Sequence, residues 1–526
     1  MKLTKYWPIA LLASVTFFLR IVNVEQLFYF TYDESVPAFV GKRLIQTGHI
    51  PLIGGVTPFG VHLAPYFYWF LALLLKIGNF NPLIWGYVGA FLAIFTTIAL
   101  YIVGNKFGGK LVGFLASTFW TFSYLTNIYD RRLWALYWGP IVSLITIYSL
   151  FQIINKKEKY IFLLAPTLAF AIHADPSNLV FLFFTILIWI IYKLPIKKLT
   201  IIGILILLLS FVPLVVFDLR HDFANTKPFL NFVGTGQNKP SLSLQKAADN
   251  TLLFPRTFSR LVYTKGDNEL SKQYSYCASY AKEKLSSIPW TVTALTSLLL
   301  ISFVAWSIRQ KGAIGWKLTS GLLATYFLGI QVYGTIFRAD IFEHYITGAL
   351  ALFVLVLAKI VSTFPKKVIF LFILLFLFAN LNKIFSAKND LGLTVKKDAI
   401  NYTMQQIGDK PFSLDSLSTC WKLNGYRYLF AAYGREPVKS YVDPNFAYLY
   451  GNTQVWDKHP ETVVAFIAHD FQPETESFFD RYNYLKSHEI ESRTFGALEL
   501  LILDNPSSWF DQPIEIKNPN IPISVE

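Results

Sequence analysis

The sequence predicts an α-helical polytopic membrane protein, with about 11 transmembrane helices plus interfacial helices, that ends in a small extracytoplasmic α/β domain. Three observations predict it. Of 526 residues, 54% are hydrophobic, 17% aromatic and only 15% charged, more apolar than a soluble domain needs. The apolar residues gather in successive runs long enough to cross hydrocarbon, which takes about 20 residues as a helix. Past about residue 385 the runs stop, and the chain turns polar and is punctuated by Pro and Gly.

The first run, from about Trp7 to Val24, lacks a small-residue cleavage site and is the first of many, so it is expected to be a retained anchor. Asp33 and Glu34 lie just past it. After them Val36, Phe39, Val40 and Leu44 recur at helical spacing, with Lys42, Arg43 and Gln46 on another face, which predicts a helix lying on the membrane surface. A carboxylate at the start of that helix is favoured as an anion by the helix dipole. An ionised carboxylate can serve as a base.

Further spans fall near 83–103, 111–126, 134–154, 160–174, 178–192, 199–217, 288–308, 316–335, 345–362 and 367–383. The stretch 65–80 is apolar and aromatic, but it is short, carries Lys76 and ends in Gly78-Asn79. Counting it as a span would invert every later loop. Without it, the short segments on the N-terminal side hold fifteen Lys and Arg, from Lys2 to Lys367, whereas the short loops opposite hold three, Arg131, Arg132 and Arg338. The excess of positive charge on cytoplasmic loops therefore makes 65–80 interfacial or re-entrant. The expected organisation is a membrane module over 1–384, with outer loops at 25–82 and 218–286, and an extracytoplasmic domain over 385–526. The protein is expected in the plasma membrane as a multi-pass chain.

This topology puts Asp33-Glu34, Asp130-Arg131-Arg132, His173-Ala174-Asp175, Asp218 to Asp222 and Arg338 to Tyr345 on one outer face. Ionisable groups near a membrane are costly and mark functional positions. Each cluster also has a plainer explanation. Asp33-Glu34 could simply cap a surface helix. Arg131 and Arg132 could snorkel to headgroups, and Arg20, near the outer end of the first span, reads as a snorkelling or helix-packing residue and not a ligand. Asp175 before Pro176 reads as the cap of the next span, while His173 has no such routine role. In Glu343-His344-Tyr345 the tyrosine suits the interfacial belt, and the Glu-His pair points to function.

The net charge of +14 does not indicate nucleic acid, because the basic residues sit at the ends of apolar runs, where anionic headgroups are the partners. Two cysteines, Cys277 and Cys420, are too few for a disulfide framework or a cysteine zinc site, and leave one bridge open. The tail carries apolar runs at Val463 to Ala468 and Leu498 to Leu503 and a helical stretch at Lys396 to Ile407, and is expected to be a lid or a partner-docking module. It is large enough for its own core.

The order Tyr32-Asp33-Glu34, Gly48-His49-Ile50-Pro51-Leu52, Gly54-Gly55, Thr57-Pro58-Phe59-Gly60 and Ala64-Pro65-Tyr66-Phe67-Tyr68-Trp69 resembles the first outer loop of the GT-C superfamily of membrane glycosyltransferases. More narrowly it is similar to the glycosyltransferase family 39-like branch, which includes the dolichyl-phosphate-mannose protein mannosyltransferases and the lipid A aminoarabinose transferase. The likeness is densest over residues 1–130, and Glu343-His344-Tyr345 is similar to the start of a late span in that branch. One departure is Ala64 before Pro65, where the family often has two prolines.

The resemblance implies a GT-C fold and inverting transfer of one hexosyl or pentosyl unit from a polyprenyl-phosphate carrier to a lipid, protein or cell-envelope glycan acceptor. Asp33 would take the acceptor proton. Glu34 would orient the acceptor or the base, and Asp130 would be a second acid. Arg131, Arg132, Arg338 and His344, with His173, Glu343 and Tyr345, are the candidates for binding donor phosphate and substrate. Tyr66, Phe67, Tyr68 and Trp69 would suit a prenyl chain or a sugar face. A divalent cation, Mg²⁺ or Mn²⁺, would find oxygen ligands in Asp33, Glu34 and Asp130 with His173, but the spacing demands none, and the expectation is a metal-independent enzyme. The competing class is a polytopic transporter or a flippase for lipid-linked sugars. Such proteins often carry internal repeats, and none is evident here.

Overall fold

The computed structural model describes residues 7–57, 60–234, 243–264, 288–336, 341–417, 425–442, 460–468 and 476–505. Arg338, Cys277 and Cys420 lie outside the described residues.

Helices stand where each apolar run predicts one. They are Trp7–Ile21, Leu83–Gly108, Lys110–Phe122, Gly139–Ile154, Ile161–Ala174, Leu179–Ile191, Lys198–Leu209 continued by Val212–Arg220, Trp290–Arg309, Ile314–Ile330, Thr347–Val361 and Lys366–Ser386. Six helical stretches among the described residues have the length and apolarity of a membrane span. Their surfaces agree. Ile201, Leu205 and Leu208, and likewise Phe370, Leu374 and Phe378, are exposed on helices with almost no polar face, an arrangement that only a hydrocarbon surrounding stabilises.

The centre of the bundle is Thr347–Val361, whose residues Ala349 through Val356 are all fully buried. Small residues let its neighbour approach closely: a Cβ on Gly139 would lie 2.7 Å from the Gly348 nitrogen, and the Ser143 hydroxyl donates to the Gly348 carbonyl at 2.7 Å. Without water to drive helices together, such close contact and interhelical hydrogen bonding hold the pair.

The first helix ends beside the start of Leu83–Gly108. A Cβ on Gly86 would lie 3.0 Å from Val24, and one on Gly89 would lie 2.8 Å from the Asp130 carbonyl. Segment 22–82 therefore leaves the bundle and returns to it at the same end. Within it, Tyr66–Ile77 is a helix of 12 residues, about 18 Å long at 1.5 Å per residue. It packs along Tyr32–Thr47, where a Cβ on Gly41 would lie 3.0 Å from Leu75.

The tail folds as a five-stranded sheet in the order β2-β1-β3-β5-β4. Its strands are β1 Phe412–Leu417, β2 Lys439–Ser440, β3 Thr462–Ala468, β4 Glu489–Phe495 and β5 Leu498–Asp504. β1 runs parallel to β2 and β3, and β5 pairs antiparallel with β3 and β4. β3 is buried along its whole length, as its unbroken apolar run implies; β4 closes an edge with Glu489, Glu491 and Arg493.

Alternate residues of these strands face opposite ways. Val463, Ala465, Ile467, Leu501 and Leu503 pack on Phe478 and Leu485 of the helix Glu476–Lys486. Val464, Phe466, Leu500 and Ile502 join a core that also contains Phe28, Phe30, Phe39, Trp85 and Leu133. The second face of the sheet is thus not an outer surface. It is shared with the segment that carries Asp33 and Glu34.

Candidate active site

The chain enters Tyr32–Thr47 through a capping box, in which the Thr31 backbone N–H and hydroxyl both donate to Glu34 Oε2 at 3.0 Å. Arg132, just past the helix Tyr124–Asp130, meets this turn. Its Nε donates to Glu34 Oε1, and its Nη2 donates to Asp33 Oδ2 at 3.0 Å. The guanidinium lies 4.1 Å from the ring centre of Trp134, which fixes its plane. Glu34 is buried, with only 2% of its surface exposed, and its oxygens are committed to Thr31 and Arg132. Asp33 is different: about half of its side chain, 51%, remains open.

Asp33 opens on a cavity of about 950 Å³. Its open face looks into the cavity, and enclosure by the cavity walls pushes its carboxyl above the usual range, Arg132 pulls it back, and the neighbouring Glu34 adds to the rise. Asp33, Val36, Val40 and Arg43 all line the cavity, and their spacing of three, four and three residues puts them on one helical face. Phe39 faces the shared apolar core instead. Arg43 therefore stands on the cavity face with Val36 and Val40, and not on a separate solvated face as the sequence pattern suggested.

The opposite wall is built from distant segments. An isolated bridge pairs Val56 with His62, and Asn225 grips the same strand, accepting from the His62 N–H at 2.6 Å and donating to its carbonyl at 3.1 Å. Asp218 in turn accepts from the Asn225 N–H at 2.7 Å and from the Thr226 hydroxyl at 2.6 Å. Phe67, Tyr68, Trp134, His173, Asp175, Tyr326, His344 and Tyr345 complete the lining.

His173 is held on both nitrogens. Nδ1 accepts from the Ala64 N–H at 3.3 Å, and Nε2 lies 3.0 Å from the Ser210 hydroxyl, whose own proton goes to the Leu207 carbonyl at 2.6 Å. These partners assign the neutral ring with its proton on Nε2. Asp175 caps the turn that starts Leu179–Ile191, accepting from the Ser177 N–H at 2.8 Å, and it also faces the cavity. Burial, with a smaller contribution from Asp33, pushes its carboxyl up to about 6 against the opposing pull of Ser177.

Other candidates lie elsewhere. Asp130 is not a second acid in the cavity: it is buried and paired with Arg20, whose Nε donates to Oδ2 at 3.0 Å. Arg20 is fully buried and also donates to the Trp120 carbonyl at 2.8 Å, so it is a packing residue and not a snorkelling one. Arg131 is buried, and its Nε donates to the Asn127 carbonyl at 3.2 Å. Glu343 is paired with Arg260 of the helix Leu244–Arg260 and accepts from the Tyr129 hydroxyl at 3.0 Å. His344 and Tyr345 do reach the cavity, and His344 packs against Trp134 with ring centres 5.3 Å apart. The structure thus brings together Asp33, Glu34 and Arg132 at one edge, with His173, His344 and Tyr345 on the walls, and separates Asp130, Arg131 and Glu343 from them.

The oxygen set suggested for a divalent cation does not assemble. Asp33 and Glu34 share one guanidinium, Asp130 is neutralised by Arg20, and the described residues contain no group of three His, Cys, Asp or Glu placed to hold a metal. Sequence reasoning missed Arg43, His49, Arg260 and the cavity role of Asp175. For Arg43 the signal was present, since it lies ten residues from Asp33, close to three helical turns. For Arg260 no local signal exists.

No family model matches the chain, and no curated protein matches it. Among solved structures it is similar to ArnT from Cupriavidus metallidurans in the apo state, with a TM-score of 0.49 and 11% identity over 97% of this chain and 99% of that one. It is similar to the same protein bound to undecaprenyl phosphate, with a TM-score of 0.47 and 10% identity over 94% and 98%. A third is the archaeal oligosaccharyltransferase AglB from Archaeoglobus fulgidus in complex with an inhibitory peptide and a dolichol-phosphate, with a TM-score of 0.44 and 12% identity over 88% and 70%.

Proposed function

We propose that this chain is an integral-membrane glycosyltransferase of the GT-C type, which moves a hexosyl or pentosyl unit from a polyprenyl-phosphate carrier to a lipid, protein or cell-envelope glycan on the extracytoplasmic side of the plasma membrane. The observation that carries this reading is the half-open Asp33 carboxylate, held by Arg132 at the wall of a cavity whose other flank is apolar and exposed. Leu179, Phe183, Leu328 and Val332 line that flank and also face outward. A prenyl chain would lie there, with its phosphate drawn toward the polar end.

The acceptor hydroxyl or amine attacks the anomeric carbon and gives its proton to Asp33 as the new bond forms. The bond from that carbon to the phosphate oxygen breaks, its electron pair leaving with the polyprenyl phosphate, and the configuration inverts in one displacement. Glu34 and Arg132 keep Asp33 aimed. The phosphate needs a cation where its charge develops. Among the described candidates Arg131 does not line the cavity and Arg132 is engaged by the acids, whereas Arg43, with His49 beside it, does line it and takes that role. Arg43 lies ten residues along the helix from Asp33, about 15 Å of axial rise. Helical side chains lean back toward the N-terminus, by several ångströms for an arginine. The remaining gap suits a sugar flanked by an acceptor on one side and a phosphate on the other. His344 and Tyr345 offer contacts to the sugar, and His173 fixes the loop at Ala64. The reaction as written needs no metal.

The test is to incubate the purified protein with radiolabelled polyprenyl-phosphate sugars and host membranes, then to separate lipid, protein and polysaccharide. Label is expected in one acceptor fraction, and to persist with a chelator present. Movement of the labelled donor across sealed vesicles without transfer to any acceptor would overturn the reading in favour of a flippase.

A further inference from the structure

We infer that the C-terminal domain braces the turn that presents Asp33, and that Lys396 and Gly425 are positioning residues of the transferase site; the inference rests on the function proposed above. The domain grips the chain at the residues leading into Tyr32–Thr47. The Leu393 N–H donates to the Phe28 carbonyl at 3.1 Å. Lys396, fully buried, donates from Nζ to the Phe30 carbonyl at 2.5 Å and lies 5.4 Å from the Tyr426 ring centre. Burying an ammonium is costly unless its donors are used. Here one of them fixes the peptide immediately before Thr31.

The Phe30 side chain is held from the same side. Tyr428 stacks on it at 5.5 Å and meets Phe39 edge-on at 5.5 Å. Gly425, with φ of +88°, presses its backbone on the ring: a Cβ there would lie 2.8 Å from Phe30 and 3.2 Å from Ser35. Only glycine combines that dihedral with that approach. Tyr428 and Tyr433 then tie the domain to the other end of the excursion, donating to the Phe80 carbonyl at 2.8 Å and to Asn81 Oδ1 at 2.7 Å.

Thr31 follows Phe30 and is the residue whose N–H and hydroxyl hold Glu34, while Glu34 and Asp33 share Arg132. Lys396 and Gly425 thus act on Asp33 through four successive contacts, by way of Phe30 and Thr31, Glu34 and Arg132, and are not part of the cavity lining. A base must sit within hydrogen-bond reach of the proton it takes, and a displacement of about 1 Å can cost about 10²-fold in rate. A brace at this point therefore governs turnover more than donor affinity.

Two full-length variants test this, Lys396→Met, which keeps the chain length and loses the donor, and Gly425→Ala, which pushes on Phe30. Arg435→Ala is the control, since Arg435 bonds the carbonyls of Gly408 and Asp409 inside the same domain. Both test variants are expected to lower kcat at least tenfold with KM for the sugar donor within twofold. Both should also speed amide hydrogen exchange at Thr31 to Ser35, and the control should do neither. Wild-type kcat and unchanged exchange at Thr31 to Ser35 in both, or the same losses in the control, would overturn the brace. If the wild type transfers no sugar from any donor, the proposed function fails, and the exchange measurement still decides whether the domain orders the turn. Should Lys396→Met fail to fold, Gly425→Ala alone decides by the same readings.

Discussion

Arg132 binds Glu34 through Nε and Asp33 through Nη2, the latter at 3.0 Å, so a single guanidinium sets two adjacent carboxylates to different tasks. The buried one is saturated, and the open one keeps an oxygen for substrate. This division follows from the planar fork of arginine, whose donors diverge at fixed angles.

Asp33→Asn is expected to lower sugar transfer by about 10²–10⁴-fold, the usual worth of a positioned base, with the protein still folded and still binding carrier lipid. Labelled-sugar transfer measured beside carrier binding checks this, and retained turnover would remove Asp33 as the base.

Arg132→Lys should keep the charge but lose the fork, lowering turnover and moving the pH profile. The carboxyl of Asp33 is raised by burial and pulled down by Arg132. Weakening that pull raises it further. A base works only when ionised, so the rising limb of kcat against pH should move to higher pH in the variant. A limb at the wild-type position would show that Arg132 does not set the ionisation of the base.

Asp130→Ala should destabilise the protein without a specific effect on chemistry. It leaves Arg20 charged and fully buried, and breaking a buried pair from one side costs about 3–5 kcal/mol. In thermal unfolding in detergent, Asp130→Leu combined with Arg20→Met is expected to melt above the single Asp130→Ala variant. A wild-type melting temperature for Asp130→Ala would show that the pair carries no stability.

Asp175 is neutral below about 6 and becomes an anion above it, in a cavity that also receives Asp33 and the guanidinium of Arg43. Its charge should therefore weaken binding of an anionic carrier phosphate above about 6 and not below it. With Asp33→Asn as background, Asp175→Asn should bind more tightly than its parent at about pH 8 and equally at about pH 5. Titration of binding with polyprenyl phosphate in nanodiscs from pH 5 to 8 reads the difference, and an unchanged slope would exclude Asp175.

Much of the fold was legible in the sequence. The helices fall on the apolar runs, and β3 and β5 fall on Val463 to Ala468 and Leu498 to Leu503. Legibility weakened at the site. Asp33 and Glu34 could be singled out by their place after the first span, but their separate roles could not, because those depend on Arg132 arriving 99 and 98 positions away. Asp130 had the same credentials as a cavity acid and proved to be half of a buried pair. The tail read as a separate module because its strands are apolar in either setting. Nothing local says that one face of its sheet packs on Phe30.

By itself the sequence determined the apolar helices, because in hydrocarbon each backbone group must be satisfied within its own helix, and the two strands on Val463 to Ala468 and Leu498 to Leu503, because apolar length and period are recorded locally. Only the tertiary structure decided which polar groups meet. Arg20 finds Asp130 across 110 residues and Lys396 finds the Phe30 carbonyl across 366. Such contacts form because a buried charge must be compensated by whatever the folded chain brings near it, and residue order carries no record of that neighbour.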